Sequence, residues 1–194
     1  MAEFRPPRWA KPAPLGYGQA ADAAHFVAAP LLASASVAMI TVIGTSDQSF
    51  RWPGLALLVL ALAAMALVGS VQYGFHARAR LYSVADLEAW WGPEDLSDHG
   101  PELRERQREH FEQWKVKINR AVTAYNLGTG LLAAGVALCL APAEGGRGAQ
   151  AVFRWLACAA VAIGALGELS WTLLAPRWQI SFPVHRRRKA RASL

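Results

Sequence analysis

The chain has 194 residues, 54% of them hydrophobic and only 18% charged, with a formal net charge of +6. The charges avoid four long stretches, 26–44, 55–75, 121–141 and 151–174, each at least as long as the run of about 18 apolar residues that crosses a hydrocarbon core. A soluble domain of this size does not need four helices apolar on every face. That class is therefore set aside for an all-α integral membrane protein with four transmembrane helices.

The chain opens on a basic leader, 1–24, whose Pro6, Pro7, Pro12, Pro14, Gly16 and Gly18 predict extended backbone up to about Ala20. It is too long and polar for the front of a cleaved signal, and the apolar run after it is span-length, so the first span reads as a retained anchor. Two helix pairs follow, 25–75 and 121–175, separated by a polar segment, 76–120, and closed by a basic tail, 176–194. The connectors 45–53 and 142–150 are short, rich in Gly, Pro and Ser, and hold no separate domain.

Basic residues set the orientation. Arg5, Arg8 and Lys11 lie in the leader, and Arg78, Arg80, Arg104, Arg106, Arg108, Lys115, Lys117 and Arg120 in the polar segment. Arg177, Arg186, Arg187, Arg188, Lys189 and Arg191 lie in the tail, which places seventeen of the 20 basic residues on one side. Cytoplasmic loops carry the excess of Lys and Arg, so both termini and the polar segment are expected inside a plasma membrane. Trp52 and Trp155 near one face, and Trp171 and Trp178 near the other, are expected headgroup anchors. Directly after a span, Arg186, Arg187, Arg188 and Lys189 read as contacts to anionic lipid headgroups rather than to nucleic acid.

The polar segment carries its own pattern. Ser83 followed by Asp86 resembles a capped helix start, and the short helix after it would hold Trp90 and Trp91 and end at Gly92-Pro93. Beyond Pro101, bulky residues recur at Leu103, Gln107, Phe111, Trp114, Ile118 and Val122, one stripe at helical spacing. No turn signal interrupts the chain before the third span. One long helix to Leu140 is expected, about half of it a cytosolic stalk. Trp90, Trp91, Leu103, Phe111 and Trp114 are the candidate partner contacts. They would pack on each other, on another copy, or on a protein partner.

Inside the spans, Glu168 stands about seven residues from the end of the fourth, where an ionised group costs on the order of 2.5–3.5 kcal/mol and so faces a bundle interior or a wet cavity. Asn126 on the third span and Gln72 on the second lie at a comparable depth, with Tyr73 and Ser34 near them. Glu168 reads either as a proton- or cation-handling carboxylate or as a packing residue bonded to Asn126. Ala29, Ala33, Gly69, Gly128, Gly130, Ala160 and Gly164 are expected to mark close helix contacts.

Chemistry of other kinds finds no support. Cys139 and Cys158 have no second ligand at metal spacing. Asp98-His99 and Glu109-His110 are adjacent pairs that point apart on a helix. There is no phosphate loop, serine elbow or metalloprotease motif, so no catalytic residue, metal or cofactor is assigned. Two functions remain. One is a non-enzymatic membrane adaptor or effector subunit whose stalk meets a protein partner or other copies. The other is an oligomeric channel or proton-coupled carrier built on Glu168.

Overall fold

The computed structural model describes residues 17–98, 100–145 and 148–174 and is all-α. The leader up to residue 16 and the tail, with Arg186, Arg187, Arg188 and Lys189, lie outside the described residues. The elements are α1 Tyr17–Ala23, a π-turn Ala24–Ala28, α2 Ala29–Thr45, α3 Pro53–Arg78, α4 Val84–Asp98, α5 Gly100–Leu140 and α6 Ala149–Leu174. Four helical stretches are long and apolar enough to cross a membrane: Gly18–Thr45, Pro53–Arg78, Glu105–Leu140 and Ala149–Leu174.

Helix begins at Tyr17, three residues before the extended leader was expected to end. The π-turn just after it has a local cause. Pro30 has no N–H, and its ring crowds the carbonyl of Phe26 four residues back. Widening the preceding turn relieves that crowding, and the Ala29 N–H bonds to the carbonyl of Ala24, five residues back.

The centre of the molecule is the antiparallel seam of α3 and α5. Buried positions on α3 are Ala56, Leu60, Ala63, Leu67, Ser70, Gly74 and Ala77, alternating steps of four and three. On α5, Trp114, Ile118, Ala121, Gly128, Gly135 and Cys139 are buried, and half-buried Tyr125 and Leu132 complete the same rhythm. A repeat of 3.5 residues keeps one stripe facing the partner along the whole length, as in a coiled coil. The seam therefore continues through Ala121 rather than drifting to Val122, which is only half-buried.

Two glycines show how close the helices come. A methyl group at Gly128 would stand 2.7 Å from Leu67 Cγ, and one at Gly135 would stand 2.6 Å from Leu60 Cδ2. Leu60 and Leu67, seven apart, thus seat over Gly135 and Gly128, seven apart in the opposite sense. In lipid, tails are as apolar as leucine, so this fit contributes through dispersion and close approach rather than through burial from water.

Helix α2 lies on α3: Ala29 and Ala33 pack on Leu67, and Ile43 packs with Ala56, Leu60 and Cys139. Helix α6 lies on α5 on the other side, with Ala165 its buried residue and Leu169 over Gly130. The arrangement is a stepped array with α3 and α5 inside, not a closed four-helix ring. Gly69 and Gly164 have nothing within 4 Å of the place a side chain would begin. Among the described residues these two are therefore not close helix contacts. Ala160 is likewise exposed.

Arg154, near the start of α6, has a structural task. It donates from Nε to the Leu140 carbonyl at 3.2 Å and from Nη2 to those of Cys139 and Ala141 at 3.3 and 3.2 Å. These are the carbonyls a helix C-terminus leaves without partners, and a cation there also opposes the helix dipole.

Candidate functional site

The end of the bundle that carries Asp22, Arg78 and Trp114 is called here the basic end. Around it the chain builds its only extended polar architecture among the described residues. Ser83 starts α4: its N–H and Oγ both donate to Asp86 Oδ2 at 2.7 Å, and the Asp86 N–H returns a bond to Ser83 Oγ at 3.2 Å. Accepting those bonds holds the Asp86 carboxyl below its ordinary range. At Gly92 the backbone turns to φ 76°, a conformation that only glycine takes without strain, and the helical line breaks before Pro93.

Helix α5 runs unbroken for 41 residues, about 60 Å. Its polar half is less free than the sequence suggested. Arg80 Nε donates to Gln113 Oε1 at 2.8 Å, and the Tyr82 hydroxyl meets His110 Nδ1 at 3.1 Å with the two rings edge to face. Trp114 and Ile118 are buried with Ala21, Ala77 and Ala121, and Phe111 stacks on Trp114 at 5.2 Å. The 3.5-residue seam thus carries α1 and α3 along α5 beyond the apolar run. The contacts with α1, α3 and the segment after α3 reach along α5 as far as His110, so the part beyond them is the shorter stretch before that residue.

The five candidate partner contacts therefore divide. Trp114 and Phe111 belong to this chain's own core. Leu103 is half-buried. Trp90 is 85% exposed and Trp91 50% exposed, both on α4, which touches the rest of the chain only lightly along α5.

The candidate polar residues of the spans are not gathered either. Leu169 over Gly130 sets Asn126 and Glu168 within about one helical turn of the same depth. Both are half-buried, yet no hydrogen bond joins them, and the Glu168 carboxylate has no hydrogen-bond or ion-pair partner among the described residues. Gln72 and Tyr73 are exposed on α3, and Ser34 bonds back to the Pro30 carbonyl at 2.9 Å. Side chains at one depth met no common face, since α6 touches α5 and lies away from α2.

One polar residue escaped the sequence reading. His25, in the π-turn, is 1% exposed, and its Nδ1 lies 2.7 Å from Ser70 Oγ on α3. Tyr125 meets its ring edge to face at 6.0 Å. Its Nε2 is buried with no partner among the described residues. A signal existed: His25 and Ser70 sit at matching distances from the ends of two adjacent spans. No local motif ties residues 45 apart, so only the fold could pair them.

Among the described residues no group of three or more His, Cys, Asp or Glu is placed to hold a metal ion. Comparison with protein-family models, curated proteins and solved structures finds no match. The chain is a helical, membrane-associated protein, and no catalytic motif stands out among its described residues.

Proposed function

We propose that this protein is a non-enzymatic membrane adaptor or effector subunit of the plasma membrane. Its basic end, both termini included, faces the cytoplasm, and α4 with the free start of α5 meets a protein partner or another copy. The observation that carries the reading is the pair Trp90 and Trp91, large indoles held out from the bundle on a helix with a built start and a fixed break. Indole side chains left in water on a rigid element are the usual anchors of an interface. The basic residues of the tail add attraction to anionic headgroups.

The test is mild-detergent purification of the intact chain and of W90A/W91A, with the mass of each complex and its composition measured. A partner or second copy present with the intact chain and lost from a folded double variant is the expected outcome. An unchanged complex removes α4 as the contact.

A second reading is favoured by Glu168, a carboxylate without a partner among the described residues, on the span with the least cover. In an oligomeric channel or proton-coupled carrier, copies would meet through α6 and enclose it. Glu168→Gln separates the readings. The adaptor keeps its partner and its fold, whereas the carrier loses flux at unchanged expression. Intact flux in that variant ends the second reading.

A further inference from the structure

At the end of the bundle opposite the basic end, Phe50, Arg51 and Trp52 lead the chain from α2 into α3. The Arg51 guanidinium lies 5.1 Å from the centre of the Trp52 ring and 5.7 Å from that of Trp155 on α6. Two indoles from separate elements thus hold one half-buried cation.

That cation has no hydrogen-bond or ion-pair partner among the described residues. Its Nε is closed off without an acceptor, whereas the two terminal Nη nitrogens are not closed off. The groups that could answer it are engaged elsewhere. Asp47 turns a carboxylate oxygen to the Gln48 N–H at 2.7 Å, and the carbonyls at the end of α5 take up Arg154. A charge drawn partly out of water without a partner is costly, and it calls for an anion.

We infer that Arg51, framed by Trp52 and Trp155, binds the phosphodiester of a membrane phospholipid in the leaflet at this end. Depth is the first argument. Trp52 immediately precedes α3 and Trp155 stands in the second turn of α6, so both indoles mark the headgroup level, where the abundant anion is lipid phosphate. Shape is the second. Rings against a guanidinium fix its plane and leave its edge open, and the paired Nη donors match two phosphate oxygens. The surroundings agree in sign and in polarity. Helix α3 starts without a side-chain cap, so the positive end of a 26-residue helix adjoins Arg51. Next along the two helices, Leu55, Leu58 and Leu156 are exposed and offer apolar surface to the acyl chains of the same lipid. The site lies at the far end from α4 and stands whatever α4 meets.

The experiment uses the full-length protein in a phosphate-free maltoside detergent. The probes are dihexanoyl phosphatidylcholine, dihexanoylglycerol, which has the same chains and no phosphate, and inorganic phosphate. Phosphatidylcholine has no net charge, so the basic residues of the tail exert little pull on it. Binding is followed through the indole N–H resonances of Trp52 and Trp155, assigned by their loss in W52F and W155F. Saturable binding of phosphatidylcholine is expected, with both resonances shifted. R51Q should weaken it by about tenfold or more, the usual loss for one charge-assisted hydrogen bond.

Undiminished binding by folded R51Q would overturn the proposal and leave Arg51 a brace between the α2–α3 connector and α6. Equal shifts with dihexanoylglycerol would overturn it too, since the chains alone would then be recognised. Inorganic phosphate that binds as tightly as the lipid would mark a site for the free anion instead. If R51Q fails to fold, the comparison of the three probes on the intact chain decides.

Discussion

Helix α5 makes two apolar contacts in the membrane, with α3 on one side and α6 on the other, and they are built differently. Against α3 the fit is a continuous 3.5-residue repeat in which Leu60 and Leu67 press onto Gly135 and Gly128. Against α6 it rests on Leu169 over Gly130, with Ala165 the buried residue of that helix and Arg154 tying its start to the end of α5. Both α3 and α6 read as spans by hydropathy. Only side-chain size at matched positions distinguishes a helix inside the array from one at its margin, because lipid rewards apolar surface on either helix equally.

The comparison breaks most visibly at Gly135. Gly135→Leu would drive a branched side chain into Leu60, and overpacking of this kind costs typically 1–3 kcal/mol, occasionally more. Loss of the α3–α5 seam should appear as a lowered thermal midpoint in detergent, with Gly164→Leu, at an open position, as the unaffected control. A large drop in both variants would mean that α6 is covered in the native membrane.

Arg154→Ala sharpens the other side. Three carbonyls at the end of α5 would lose a charged donor, a loss of about 1.5–3 kcal/mol if water does not replace it. Hydrogen exchange should accelerate around 137–152 and leave the α3 seam protected. Equal acceleration throughout would show that the two contacts unfold together.

The smallest effect is expected at Asp86, outside both contacts. Its carboxyl is held below the ordinary value of 3.8 by the Ser83 backbone and hydroxyl bonds. A carboxyl depressed in the folded state adds stability above the ordinary value and loses it as pH falls through the lower folded value. The start of α4 should therefore fray in that acid range. Asp86→Ala should fray it at neutral pH as well, seen as faster amide exchange at Leu87–Trp91 with both membrane contacts unchanged.

The sequence by itself determined what one stretch of chain can settle. Span-length apolar runs specify four membrane helices, Ser83 and Asp86 specify a helix start, Gly92 its break, and the absence of any turn signal specifies one helix from Gly100 to Leu140. These are local consequences of hydropathy, capping and backbone freedom. Tertiary structure decided the rest. The stripe at Phe111 and Trp114, legible as apolar, became core instead of surface, because α1 and α3 follow the 3.5-residue seam past the apolar run. Glu168, Asn126 and Gln72 share a depth but no face, since depth follows from position along a span and facing follows from which helix packs where. His25 found Ser70 across 45 residues through the close approach of two helices at Gly74, and no periodicity in either segment encodes that meeting.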